Sequence, residues 1–226
     1  PNTVLNTIVA EAIDELADKL QEQLDSGKDL AAAVGEVVKE SYGANRQIVF
    51  GGDGYSEEWH AEAESRGLKN LRTTPDALPE VISDSTVAAF ENYNVLSKRE
   101  LEARFEVWVE QYTVLANIEA ETAKSIAKTM ILPAALRYAA VIDDSDIDDI
   151  DGELKELVTA LVAKIAELEE ANKYPDGVEG LELAEYARDN QLAKMSEVRE
   201  VADQLERVVA DDLWPLPKYS EMLFIR

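Results

Sequence analysis

The feature that most constrains the fold is a helical pattern that runs without a break from Ser97 to about Val141. Its apolar positions recur every three or four residues, which predicts one long helix with a single stripe. The stripe consists of Leu101, Phe105, Trp108, Tyr112, Leu115, Ile118, Thr122, Ile126 and Met130. At ~1.5 Å per residue this helix would reach ~65 Å. Because a helix of that length cannot bury its stripe alone, we expect other segments to lie along it.

Two local signals lie within this pattern. Ser97 and Glu100 have the spacing of a capping box, in which each side chain satisfies a free backbone donor of the other residue. Pro133 lies inside the pattern and cannot donate to the carbonyl of Thr129, so we expect a kink there.

The remaining sequence favours more helices. The chain begins at Pro1 directly in an apolar helical run, which we expect in a piece cut from a longer polypeptide. Gly27 is expected to end this first helix, and Asp29 to cap the second. Residues 47–50 form a short apolar run of β type, which predicts an isolated extended segment.

Two further N-termini follow in this first part of the chain. Ser56 is expected to cap a short helix with Glu57 and Glu58 in its first turn. The next helix is expected to use Thr74 as its cap and Pro75 at its first position.

After Gly152, two heptad-like stripes predict a pair of helices joined by a short linker, which gives an antiparallel hairpin. Asp176 and Glu179 have the spacing of a capping box at the start of the second helix. Together with the helix from Ser97 the hairpin would form a three-helix bundle. We therefore predict an all-α fold with a helical region over 1–96 and a long-helix bundle with a docking tail over 97–226.

Composition supports helices and limits the partners. Hydrophobic residues make up 46% of the chain and aromatic residues only 7%, a balance that suits helix packing. The net charge of −25 should repel phosphate backbones and anionic lipids, so we expect neither nucleic acid nor a membrane as partner. No uninterrupted apolar run approaches the ~20 residues of a membrane span. There is no cysteine, which excludes disulfides and thiolate chemistry and is compatible with the cytoplasm.

Three patterns in the sequence are candidates for a metal or phosphate site. Glu57 and the single histidine, His60, have the Glu-x-x-His spacing of di-iron bundles, but such a site needs two of these motifs. The acidic run 143–151 resembles a calcium loop, yet placing Gly152 at position six puts Ile147 and Val158 at the two anchor positions. A surface or partly packed histidine and a solvated acidic turn are the favoured interpretations.

The third pattern is the loop Gly51-Gly52-Asp53-Gly54, which could bind a phosphate through backbone donors. It lacks the spacing of the known phosphate-binding motifs, so a structural turn is favoured. No catalytic triad or carboxylate pair stands out, and the aromatic residues of the long stripe are expected in the core.

Several long strings resemble the C-terminal part of type III glutamine synthetases. They are PNTVLNTIVAEAIDEL, IVFGGDGYSEEWHAEAESRGLKNLRTTPDALP, ENYNVLSKRELEARFEVWVEQY, NIEAETAKSIAKTMILPAALRY and WPLPKYSEML. They cover most of the chain in order, apart from a variable region between about 143 and 197.

The resemblance implies a parent enzyme that joins ammonia to glutamate with ATP and Mg²⁺ or Mn²⁺. In that family the catalytic β-sheet domain precedes the position of Pro1, so no catalytic, cofactor-binding or metal residue is assigned to this chain. The implied partners are its own catalytic domain and neighbouring subunits of a homo-oligomer. The alternatives are a free-standing helical adaptor and a small helical enzyme with a carboxylate-bound metal.

Overall fold

The computed structural model describes residues 1–143 and 152–223, and these residues contain helices and no β-strand. The predicted all-α fold class is confirmed. The chain forms two compact units, Pro1–Phe105 and Glu106–Arg226. The domain division predicted from the sequence, 1–96 and 97–226, stays a prediction.

The first unit is built from five helices among the described residues, with 3₁₀ turns at Arg46–Ile48 and Leu78–Ile82. The helices are α1 (Asn2–Asp25), α2 (Leu30–Ala44), α3 (Glu57–Ser65), α4 (Thr74–Ala77) and α5 (Asp84–Asn92).

Their N-termini follow the sequence signals closely. The Asp29 carboxylate accepts from the Ala32 amide and the Ser56 hydroxyl from the Trp59 amide, as predicted. The predicted cap at Thr74 is wrong by one residue, because Thr73 caps α4 and Pro75 takes its second position.

The extended segment predicted at 47–50 is wrong. Arg46–Ile48 forms a 3₁₀ turn, and Val49 after it has extended backbone angles. No strand lies beside this run in the described parts of the chain, so an extended conformation would leave its backbone groups unpaired.

A small hydrophobic cluster holds the end of the first unit together. Phe90 and Ala89 on α5 pack with Leu101, and these three residues are almost fully buried. At the end of α5, the Tyr93 hydroxyl donates to the Asp14 carboxylate of α1 at 2.9 Å. This hydrogen bond raises the pKa of Tyr93 to about 12, because the carboxylate disfavours a second negative charge beside it.

The long central helix is interrupted once. It comprises α6 (Lys98–Ile126), a π-helical turn (Ala127–Ile131) and α7 (Leu132–Asp143). The predicted capping box is present, since the Ser97 amide donates to the Glu100 carboxylate at 2.9 Å and the Glu100 amide to the Ser97 hydroxyl at 3.4 Å. The bonds that the Glu100 carboxylate accepts from the Ser97 amide, and secondarily from the Ser97 hydroxyl, lower the pKa of Glu100.

The interruption falls where Pro133 was predicted to disturb the helix. The π-helical turn ends two residues before Pro133, so the wide turn accommodates the residue that lacks an amide donor.

The second unit adds α8 (Gly152–Ala171), α9 (Gly180–Tyr186), α10 (Ala193–Val208) and a short α11 (Tyr219–Met222) to the central helix. A second π-helical turn, Ala187–Leu192, joins α9 to α10. The predicted capping box of Asp176 and Glu179 is wrong, because α9 begins after Glu179, whose side chain makes no capping bond.

Two lysine–glutamate pairs connect α8 to α10. Lys164 donates to Glu197 at 2.7 Å, and Lys194 donates to Glu167 at 2.8 Å. Because position 164 of α8 pairs with position 197 of α10, while position 167 of α8 pairs with position 194 of α10, the two helices run antiparallel. The bonds from Lys164 and then Lys194 lower the pKa of Glu197 to about 2.

One hydrophobic cluster forms the core of the second unit. It combines large residues of α8 and α10, among them Leu161, Leu168 and Leu205, with small residues of the central helix such as Ala120 and Ala127. The small side chains let helix backbones approach closely. The predicted three-helix bundle stays a prediction, since the segment from Ser97 to Phe105 belongs to the first unit.

The continuous helical stretch Lys98–Asp143 also contains an 18-residue window of mean hydropathy 1.3, which length and composition alone would allow to cross a membrane. The sequence analysis, which counted uninterrupted apolar runs, missed this window. It is weak evidence for a membrane, because a core helix of a soluble protein passes the same test, and 28% of the window is buried inside the structure.

Candidate functional site

The described residues hold no metal centre of the kind weighed from the sequence. No group of three or more His, Asp and Glu within 1–143 and 152–223 is arranged to bind a metal ion. His60 lies half-buried on α3, while the carboxylate of Glu57 lies 3.8 Å from the guanidinium of Arg72. Residues 144–151 of the acidic run considered as a calcium loop lie outside the described residues.

The glycine loop is part of a rigid local structure. The Arg66 guanidinium donates to the carbonyls of Gln47 and Val49 at 3.2 and 3.0 Å, which ties the preceding segment to the end of α3. Phe50 and Trp59 stack with ring centroids 4.2 Å apart, and the Arg66 guanidinium lies 5.5 Å from the Trp59 ring. The arginine therefore combines backbone hydrogen bonds with cation–π contacts.

The geometry of this loop favours a structural turn over phosphate binding. The Asp53 carboxylate accepts from the Tyr55 amide at 2.9 Å, so a negative charge already lies on the loop's donors. At Gly52 a Cβ would come within 2.6 Å of the Phe50 ring, which explains a glycine there by packing. The loop leaves Tyr55 94% exposed.

An exposed apolar surface of the first unit lies on α1. Six residues are 40% to 62% exposed although they are large and apolar. They are Val4, Leu5, Ile8, Val9, Ile13 and Leu16. At about 3.6 residues per turn they occupy one half of the helix surface, which we name the α1 apolar face.

Thr7, the buried residue of α1, lies on the opposite half of the helix, and Asp14 on that half accepts the hydrogen bond from Tyr93. Towards the end of α1, Lys19 pairs with Glu40 of α2 at 3.5 Å. A free surface helix turns its large apolar residues inwards, whereas those of the α1 apolar face are exposed. The α1 apolar face is therefore a candidate interaction surface.

A second exposed stripe runs along α2. Leu30, Val34, Val38 and Tyr42 follow one another at intervals of four residues and are all exposed. The buried residues of α2 are Ala33 and Val37, each of which directly precedes a residue of this exposed stripe.

The aromatic residues of the long stripe, for which the sequence predicts core positions, are only partly buried. Trp108 is 40% exposed, so the prediction is wrong for this residue, while Phe105 and Tyr112 are half-buried. Val109, Ala116 and Ala120 take the buried positions instead. The helix period was right, but small residues, not the large ones, face the packed side.

A buried polar cluster lies at the turn between α8 and α9, and the sequence analysis missed it. Gln191, which is fully buried, donates to the side-chain oxygens of Asn117 at 3.1 Å and Asn172 at 3.4 Å. Its amide oxygen accepts from the Tyr174 hydroxyl at 3.2 Å. Gln191 lies in the π-helical turn, and nothing in the sequence pattern distinguishes it from a surface glutamine.

A cavity of about 640 Å³ lies in the second unit between the central helix, α10 and the C-terminal segment. Its walls are mainly apolar, with Ala127, Val198 and Trp214 among them, and Arg199 lies at its edge 3.5 Å from Asp203. Asp203, Glu206 and Arg207 are the other charged residues of its lining.

Comparison with known proteins gives a consistent result. A family model described as "Glutamine synthetase C-terminal domain" matches residues 33–146. The type-3 glutamine synthetase of Dictyostelium discoideum is 32% identical over 246 residues, which cover 100% of this chain and 33% of that protein. A glutamine synthetase of Butyrivibrio fibrisolvens is 33% identical over 88% of this chain and 31% of its own length. The chain thus spans about a third of the length of the curated relatives it matches.

Proposed function

Because the chain belongs to the glutamine synthetase family and corresponds to the C-terminal region of its relatives, we propose that it is the helical assembly segment of a glutamate–ammonia ligase. In this proposal the full-length enzyme joins ammonia to glutamate with ATP and a divalent metal in the cytoplasm. The chain itself supplies packing surfaces and no reacting group.

The proposal rests on the contrast between the large exposed apolar surface and the lack of a converging set of metal ligands among the described residues. The described residues do not fit an ATP–metal site, since no group of three or more possible ligands converges within them. They do present the α1 apolar face and the stripe on α2, which total ten large exposed apolar residues on two neighbouring helices. Surfaces of this kind are typical of interfaces with another protein body.

The proposed partners are the catalytic part of the same polypeptide and the neighbouring subunits of a homo-oligomer. The exposed Trp108, Leu115 and Ile118 of α6 give the second unit a surface of its own for such contacts. Ring-forming enzymes bury apolar helix faces of this type between subunits.

Three preparations test the proposal: the isolated chain, the full-length polypeptide, and the full-length polypeptide lacking this chain. Each is assayed with glutamate, ATP, magnesium and ammonia, and its mass is measured by light scattering. We expect turnover and a large oligomer from the full-length polypeptide only. Turnover by the isolated chain would contradict an active site outside it.

A matched pair of variants separates assembly from catalysis. In the full-length polypeptide, Ile118→Asp is expected to shift the oligomer towards smaller species, because it buries a charge in a subunit contact. Glu119→Asp changes the neighbouring exposed position without altering charge and serves as the control. An unchanged mass for Ile118→Asp would remove this surface from the proposed assembly.

A further inference from the structure

We infer that the cavity of the second unit is a binding site for a neutral, largely apolar small molecule, a role beyond the proposed function. The cavity lies between the central helix, α10 and the C-terminal segment, and its volume is about 640 Å³. Ligand pockets in proteins usually measure about 300 to 1,000 Å³ and are lined mainly by apolar side chains. Three features of the cavity support the inference: the burial of its walls, the balance of charge at its rim, and the wall that the C-terminal segment provides.

The walls of the cavity are deep. Five of its apolar lining residues are no more than 9% exposed. They are Ala127, Ile131, Val198, Ala202 and Trp214. A neighbouring protein surface covers side chains that project into solvent, whereas side chains at the bottom of a cavity are reached only by a molecule that enters it. The walls therefore fit a small molecule and not a subunit contact.

The wall residues also leave adaptable space. Ala127 and Ala202 are small, so the central helix and α10 do not fill the volume between them. Ala127 and Ile131 are the first and last residues of the π-helical turn, a feature found frequently at functional sites. Met195 and Met222 add flexible thioether side chains, which adjust to ligands of different shape.

The charges at the rim favour a ligand without net charge. The described lining carries two cationic and two anionic side chains, and none of the four is buried. They are Arg199, Arg207, Asp203 and Glu206. Arg199 lies 3.5 Å from Asp203, so one pair already compensates itself. A charged ligand would lose water without a fitted counter-charge, and the chain's net charge of −25 repels anions further.

The C-terminal segment forms one wall of the cavity and packs on the helices through apolar side chains. Leu213, Trp214 and Leu216 join the hydrophobic cluster of the second unit. Lys218 bonds within the segment, since its ammonium group donates to the Asp211 carbonyl at 3.1 Å and its amide to the Glu221 carboxylate at 3.0 Å. A ligand in the cavity would contact the segment and the helices at once. Binding should therefore hold the segment against the helices.

Two dyes with the same ring system test the chemical class of the ligand in the full-length polypeptide. N-phenyl-1-naphthylamine is neutral, and 8-anilino-1-naphthalenesulfonate adds one negative charge. We expect saturable binding of the neutral dye with a Kd on the order of 10 to 100 μM, given its number of atoms. The sulfonate should bind at least about ten-fold more weakly, because its charge must be desolvated. Failure of the neutral dye to bind, or equal or tighter binding of the sulfonate, would overturn the inference.

A matched pair of variants locates the bound dye. Ala123→Phe adds a ring at a half-buried lining position of α6. Ala193→Phe makes the same change at an exposed position of α10 outside the lining, and serves as the control. We expect Ala123→Phe to weaken binding of the neutral dye at least about ten-fold and Ala193→Phe by less than about two-fold, because only the first occupies the cavity. Equal affinity of the two variants would place the dye elsewhere and overturn the inference.

Amide hydrogen exchange of the unmodified polypeptide gives a second readout that does not depend on how a variant folds. With the neutral dye at ten times its Kd, exchange through openings that release the dye should slow about ten-fold. We expect this protection in peptides of residues 210–217 and none in peptides of α1. Unchanged exchange at 210–217, or protection confined to α1, would overturn the inference. Neither readout uses ligase turnover, so the inference and the proposed function fail independently.

Discussion

Replacing Gln191 by methionine tests whether the buried polar cluster stabilises the second unit. Gln191 is fully buried and makes hydrogen bonds at 3.1 Å to Asn117 and at 3.2 Å to Tyr174. Methionine has a similar length and fills the same space, so the substitution removes the hydrogen bonds while creating little empty volume. The polar partners would remain in place without the amide that satisfies them.

The expected magnitude follows from those two bonds. A buried polar group left without a partner costs about 1 to 3 kcal/mol. The Asn117 oxygen loses its bond to the amide, and the Tyr174 hydroxyl keeps only a contact of 3.5 Å to the Thr113 carbonyl. We therefore expect Gln191→Met to lower the free energy of unfolding by about 2 to 4 kcal/mol.

Urea unfolding followed by far-UV circular dichroism measures this loss. The matched control is Gln21→Met on α1, whose amide makes one exposed hydrogen bond to Asp25. An exposed substitution of this kind is expected to change the free energy by less than about 0.5 kcal/mol. If Gln191→Met cost no more than the control, the cluster would not contribute to stability in the way proposed.

Three further outcomes are expected. The pKa of Glu197 is lowered to about 2 from 4.5, so its contribution to stability is present above pH 4.5 and is lost as the pH falls towards 2. The difference in melting temperature between the wild type and Glu197→Gln should therefore shrink over that pH range. A constant difference would contradict the pairing of Glu197 with the two lysines. The pKa of Tyr93 is raised to about 12 from 10, so its hydrogen bond to Asp14 stabilises the fold below pH 10 and is lost as the pH rises towards 12. In an ultraviolet titration, Tyr93→Phe should remove one of the late-titrating tyrosines, and an unchanged late phase would contradict this assignment. Arg66→Lys should loosen the segment before α3 despite keeping the charge, because an ammonium group lacks the planar guanidinium whose Nη1 donates to two carbonyls while its Nε donates to Glu62. Proteolysis near that segment should become faster than in the wild type, and unchanged cleavage would refute the reasoning.

The sequence predicted the helices better than it predicted which of their faces are covered. The capping signals at Asp29, Ser56 and Ser97 are local, so they fix helix starts without any knowledge of tertiary structure. The three-to-four spacing likewise identified α6 as a helix. It could not tell that Trp108 lies on the exposed side, because hydrophobic periodicity reports an apolar face and not its partner.

The errors share a physical origin in context beyond the local sequence. The β-type residues after Gln47 form a turn because no strand is available to pair with them in the described parts of the chain. The buried cluster around Gln191 depends on residues more than seventy positions apart, such as Asn117. The α1 apolar face was visible as an apolar run, but its exposure follows from which half of α1 contacts α5.

The π-helical turns have a consequence for how the length of this chain can vary. A wide turn encloses one more residue than a turn of α-helix, so Ala127–Ile131 works as an insertion that the helix has absorbed. Deleting one residue there would restore ordinary winding and leave the packed sides of α6 and α7 pointing as they do now. A homologue one residue shorter at this place could keep the same core, whereas the same deletion in the middle of α8 would rotate everything beyond it by about a quarter of a turn.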